Sequence, residues 1–102
     1  MQFVLIAHDD TDDHAAERRM AARDAHLKLA RQLYDAGRWL YAAAIQNDDG
    51  RAIGSLIVCD FPSREELERQ WLKKEPYMTG KVWQKVDIHR IQVAPFCAPN
   101  KK

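Results

Sequence analysis

The sequence predicts an α+β fold with the element order β-α-β-β-α-β. Three observations carry that expectation. Four short apolar or alternating runs of strand character are separated by two stretches whose apolar residues recur three and four apart. Gly37, Asp48-Asp49-Gly50, Pro62 and Pro76 fall at the boundaries, where turns and helix ends favour such residues. The 102 residues, 46% hydrophobic and 30% charged, suit one small domain with its own core, taken as 1–102 with 95–102 as a tail.

Gln2 to His8 (QFVLIAH) reads as the first strand, almost wholly apolar and therefore central. Asp9 to Asp13 is a polar break rich in helix-starting residues. From His14 to Ala36 the pattern is helical, with Ala16, Met20, Leu27, Ala30, Leu33 and Tyr34 at core-facing spacing and Gly37 as the stop. Arg38 to Ile45 forms a second strand, turned by Asp48-Asp49-Gly50 into a third over Ala52 to Phe61. A second helix opens at Pro62-Ser63, where Ser63 and Glu66 have capping-box spacing. It carries Leu67, Trp71 and Leu72 on one side and ends before Pro76, whose ring disfavours helix at Glu75. Val82 to Val93 is the fourth strand, and its alternation changes phase near His89, which predicts a bulge there.

This order is the split βαβ of ferredoxin-like folds, a four-stranded antiparallel sheet with both helices on one face. The other face, bearing aliphatic and aromatic side chains of four strands, is left bare. A bare apolar face of that size predicts a homodimer whose sheets pack face to face.

The net charge of +1, from 16 basic and 15 acidic residues, argues against nucleic acid and anionic membrane as partners. Phe3 to Ala7 is too short to span a membrane and lacks the basic flank of a signal peptide. Cys59 and Cys97 are far apart in the chain, which fits a reducing cytoplasm with Cys59 as a small core hydrophobe. No glycine-rich phosphate loop and no G-x-S-x-G elbow is present, so no cofactor is expected. The segment His8 to His14 (HDDTDDH) offers ligand types for a divalent metal. Its spacing matches no standard site, and acidic residues ahead of a helix serve its cap and dipole, so no metal is expected either.

The stretch RDAHLKL, Arg23 to Leu29, concentrates the chemistry. At about 100° per residue with His26 as zero, Leu33 falls near −20°, Ala30 near +40° and Arg23 near +60°. His26 therefore lies within the buried arc, with Arg19 and Arg23 beside it. Asp35, near 180°, points away and is excluded as a partner on the same helix. Asp9, at the exit of the first strand, and Glu75 with Tyr77, after the second helix, are carboxylate and aromatic candidates from other elements. A carboxylate there orients the imidazole for acid–base work, and Arg23 holds a substrate oxyanion. The alternative is structural: His26 as a satisfied core histidine, Arg19 and Arg23 paired with the acidic loop, Trp71 and Tyr77 as core aromatics, and Glu75 as a helix end.

These residues also resemble a known family. Ala7-His8-Asp9, R-x-A-H-L at Arg23 to Leu27, D-x-G-R at Asp35 to Arg38 and G-S-x-x-V at Gly54 to Val58 match the YCII-related (YciI-like) family in order and spacing. F-x-S-x-E-E at Phe61 to Glu66, Trp71 and E-P-Y at Glu75 to Tyr77 continue the match over almost the whole chain. The resemblance implies a ferredoxin-like dimeric α+β barrel and kinship with muconolactone isomerase-like proteins. Most members have no assigned reaction; one branch includes a chlorohydroxyhydroquinone dehydrochlorinase, and a histidine–aspartate pocket has been proposed, with His26 at the family histidine. Two departures stand out. Glu75 replaces the usual aspartate, moving the charge by one methylene, and Ala43-Ala44 stands where the family has Gly-Pro.

Together these features predict a small cofactor-free enzyme of lyase or isomerase type acting on a small cyclic or phenolic anion. His26, Glu75 and Asp9 are the catalytic candidates, and Arg23, Tyr77 and Ser55 the substrate-binding ones. The rival expectation is a non-catalytic dimeric module that binds a small metabolite or serves as an accessory protein.

Overall fold

In the computed structural model, which describes residues 1–97, β1 (Gln2–Asp9) lies between β3 (Ala52–Asp60) and β4 (Trp83–Ile91). β2 (Trp39–Gln46) closes one edge, giving the all-antiparallel order β2-β3-β1-β4 of the ferredoxin-like α+β fold. β1 is hydrogen-bonded along both edges and carries apolar side chains on both faces. Phe3, Leu5 and Ala7 are buried on the helix side, while Val4 and Ile6 are half-buried on the open side. Opposite residues of a ladder share a face, so Cys59, Ile57 and Ser55 join them from β3. The helices α1 (Ala15–Asp35), α2 (Arg64–Gln70) and α3 (Pro76–Thr79) cover this side, adding Leu33, Leu67, Trp71 and Tyr77 to the core.

Gly54 marks the tightest backbone approach in the sheet. A Cβ there would lie 2.3 Å from the Ala7 carbonyl oxygen, so only glycine lets β1 and β3 meet. In the β2–β3 hairpin Gly50 takes φ +81°, and the Asn47 side chain accepts from the Asp49 and Arg51 amides.

Several boundaries differ from expectation. α1 starts one residue later, with His14 at its N-cap, and β2 begins and ends one residue later. β4 is shorter than Val82–Val93: Val82 closes the turn from α3 through its carbonyl to the Asp10 amide, and the Val93 amide bonds to Gln2. The bulge is not near His89. His8 faces Lys85 while Asp9 faces Trp83, so Gln84 is the extra residue, and Val86, Ile88 and Arg90 keep strict alternation. The predicted second helix is split. It stops at Gln70, continues as a 3-10 turn over Leu72–Lys74, and restarts as α3 with Pro76 at its first position. Ser63 does cap α2, accepting from the Glu66 amide at 3.1 Å, but the Glu66 side chain pairs with Arg69 and Gln70 rather than closing the box.

The larger correction concerns α1. Met20, Leu27 and Tyr34 do not reach the core; they are 73%, 45% and 59% exposed, and only Ala15, His26 and Leu33 are buried. Opposite this part of the helix β2 presents Ala42 and Ala44, side chains too short to close the gap. The tail expected over 95–102 begins with a 3-10 turn at Pro95–Cys97, and the rest lies outside the described residues. Among the described residues no helix is long and apolar enough to cross a membrane.

Candidate functional site

The gap between α1 and the β2–β3 half of the sheet is a cavity of about 510 Å³. His26, Arg19 and Arg23 reach it from α1, Ser55 from β3 and Tyr77 from α3. Four of the six candidate residues thus meet in one place: His26, Arg23, Ser55 and Tyr77 all line it.

Glu75 sits behind them, fully buried. Its Oε2 accepts from His26 Nδ1 at 2.7 Å and from the Tyr77 amide at 2.9 Å, and its Oε1 accepts from Trp71 Nε1 at 2.8 Å. Local folding puts it there. Pro76 forces an extended backbone at Glu75, which becomes the N-cap of α3, and the same carboxylate that caps the helix turns towards α1. A carboxylate is acceptor-only, so with three N–H groups around it the proton of the His26 contact sits on Nδ1. Nε2 is the imidazole nitrogen without a partner among the described residues, and His26 lines the cavity.

The ring is held on its faces as well. Tyr77 stacks on His26 with centroids 3.8 Å apart and planes at 9°, and Trp39 and Trp83 pack around it at 5.8 and 6.3 Å. Burial raises the Tyr77 hydroxyl above the ordinary tyrosine value, outweighing the opposing charges of Arg19 and Arg23. Tyr77 therefore stays neutral and presents an O–H donor. Ser55 accepts from Trp83 Nε1 at 3.2 Å, which leaves its own O–H to donate.

Asp9 is not at the imidazole. It binds Arg19 through both oxygens, at 2.9 and 2.7 Å, because β1 ends beside the first turns of α1. Arg19 also donates to the Gly54 carbonyl at 3.3 Å and lies 4.8 Å from the Tyr77 ring centroid. Of the two carboxylates expected near His26, the structure brings up Glu75 and pairs Asp9 with Arg19 instead. Arg23 is exposed at the cavity mouth and has no hydrogen bond or ion pair among the described residues.

Two partners were not expected from the sequence. Trp71 is a core aromatic and also a donor to Glu75, across the 3-10 turn that joins α2 to α3. Trp83 as the partner of Ser55 has no local signal, since the pairing crosses the sheet. Residues His8 to Asp13 of the acidic segment line a second cavity, of about 550 Å³, with Asn47 and Arg51; His14 does not reach it. There Asp12 pairs with Arg18, whose hydrogen bond holds its carboxyl down to about 2. Among the described residues no group of three or more histidine, cysteine or acidic side chains could hold a metal ion. Burial, reinforced by Asp60, pushes the Cys59 thiol up to about 12, so it packs as a hydrophobe rather than serving as a nucleophile.

Comparison with known proteins agrees with this architecture. The YCII-related domain profile matches residues 1–92. The chain is 34% identical over 94 residues to Protein YciI of Escherichia coli O6:H1, and equally to Protein YciI of Shigella flexneri; each match covers 86% of this chain and 93% of the relative. A solved structure of 5-chloro-2-hydroxyhydroquinone dehydrochlorinase from Burkholderia phenoliruptrix AC1100, in complex with 2,5-dihydroxybenzoquinone, superposes with a TM-score of 0.78. It covers 94% of this chain and 98% of its own at 16% identity, a likeness of fold.

Proposed function

The chain belongs to the YCII-related family, and from that premise we propose a small enzyme of lyase or isomerase type that moves a proton on a cyclic or phenolic anion. The observation that carries this reading is the His26–Glu75 pair: a buried carboxylate holds Nδ1–H at 2.7 Å and leaves Nε2 as a base beside a cavity. Nε2 takes a proton from a C–H or O–H of the ring. The electron pair moves into the ring system as an enolate or phenolate. It then either picks up a proton elsewhere, which is isomerisation, or expels a leaving group, which is elimination. Arg23 neutralises the negative oxygen, and the Tyr77 and Ser55 hydroxyls donate to it. The dehydrochlorinase of similar fold acts on a chlorinated hydroquinone, which supports the choice of ring substrates. We also propose that the protein acts in the cytoplasm as a homodimer joined through its open sheet face.

The test is turnover of a panel of phenols, hydroquinones and lactones by wild type, His26→Ala and Glu75→Gln. Glu75→Gln keeps the volume but places an amide N–H against Nδ1, which turns the imidazole to the other tautomer and blocks Nε2 as a base. Both variants are expected to lose about 10²-fold or more in kcat on a substrate the wild type converts. Unchanged kcat in His26→Ala would sink the mechanism. Ligand binding with no conversion of any panel member would favour the non-catalytic binding module.

A further inference from the structure

We infer that the substrate is a two-part molecule: an acidic ring bound at His26 and Arg23, bearing an apolar arm that lies along β2 beneath Leu27 and Tyr34. The inference rests on the proposed function for its ring-binding end and extends it to the rest of the cavity.

The cavity is too large for a single ring. At about 1.5 Å of helix rise per residue, the eleven steps from Arg23 to Tyr34, both of which line it, span roughly 16 Å. Its volume of about 510 Å³ falls in the range of sites that bury a larger, drug-sized molecule. Most of the polar groups are gathered at one end; Arg31, which lines the other, has its guanidinium paired with Asp35 at 3.0 Å. Arg19 and Ser55 lie where β1 meets the start of α1, and Arg23 follows one turn later. Beyond His26 the walls change character. Ala30 and Tyr34 continue the helix side, and Ala42 and Ile57, which face each other across the β2–β3 ladder, form the floor.

Apart from Arg31, which Asp35 engages, the walls of this far end are largely apolar and leave space between them. Leu27 and Tyr34 are exposed although they sit on the sheet-ward side of α1, and Ala42 is an exposed alanine on the helix-facing side of an edge strand. A larger side chain at 42 would meet the helix; alanine leaves a trough. A molecule with charge at one end and apolar surface at the other matches this division. The apolar arm removes from water the Leu27 and Tyr34 surface that folding leaves exposed.

Affinity for a graded set of probes tests this: benzoate, 4-butylbenzoate and 4-hexylbenzoate, titrated by tryptophan fluorescence or calorimetry into wild type and Ala42→Leu. For wild type, affinity is expected to rise by about three- to fourfold per buried methylene. In Ala42→Leu benzoate should bind within about twofold of wild type while the gain with arm length largely disappears. Benzoate binding with no dependence on arm length, or a gain that survives Ala42→Leu, would overturn the inference and leave the proposed function standing. If no probe binds, benzoate included, both fail together. Arg23→Gln separates the two ends: it should weaken every probe by a similar factor and leave the arm-length gain intact, and a change in that gain instead counts against the assignment.

Discussion

At the scale of single residues, Trp71 and Trp39 make a matched pair with different chemistry. Both are buried and pack edge to face, with ring centroids 5.0 Å apart at 78°. The Trp71 N–H donates to Glu75, whereas the Trp39 N–H meets no acceptor among the described residues. Replacing either with Phe removes the same volume, so their difference isolates the hydrogen bond. Trp71→Phe leaves Glu75 Oε1 buried without a donor and should cost about 1–3 kcal/mol more than Trp39→Phe, read from urea unfolding. Equal costs would mean that the indole does not help hold the carboxylate. The same pair shows how far residue-level reading of the sequence reaches. Helical geometry places His26 on the buried arc and removes Asp35. It cannot say which distant carboxylate arrives, because Glu75 and Asp9 reach α1 through tertiary paths. Proline at 76 fixes the backbone of Glu75, yet its orientation towards His26 follows only once α3 is packed.

At the scale of elements, the strands are legible because each run is bounded by strong turn residues, and β1 is central because it is apolar on both faces. Boundaries and irregularities depend on contacts between elements. The bulge at Gln84 lies where the end of β1 meets Arg19, and the break after Gln70 lies where Trp71 and Glu75 join one cluster. The starts of α1 and α2 are also electrostatically tuned. The Arg18 hydrogen bond holds the Asp12 carboxyl down to about 2, and the Arg69 hydrogen bond, helped by Gln70, does the same for Glu66. A carboxyl whose folded value is depressed stabilises the fold above its unfolded value near 4, and that contribution is lost as pH falls towards 2. Asp12→Asn combined with Glu66→Gln should therefore flatten the fall of Tm between pH 4 and pH 2 relative to wild type. An identical fall in the variant would assign the acid sensitivity to other carboxyls.

At the scale of the whole molecule, the two faces of the sheet differ in character. The helix side holds the cavity, and the open side is apolar over three strands: Val4 and Ile6 of β1, Leu56 and Val58 of β3, and Tyr41 and Ile45 of β2. The β4 quarter is different, with Lys85, Asp87 and His89 facing the same way. A dimer through this face should thus be centred on β3 rather than on the middle of the sheet, with the β4 charges at its rim in water, where they cost little. Tyr41, 65% exposed in one chain, is large and amphipathic enough to anchor such an interface. Leu56→Glu places a charge at the predicted centre, on the face opposite His26. Light scattering after size exclusion should give twice the chain mass for wild type and the single mass for the variant. Because Leu56 lies on the sheet face opposite the cavity, the variant should still bind a benzoate probe. A wild type of single mass, or a variant that stays paired, would place any interface elsewhere on the molecule. A variant that is single and has also lost the probe would mean that the cavity depends on the second copy, joining the two faces that this fold keeps apart.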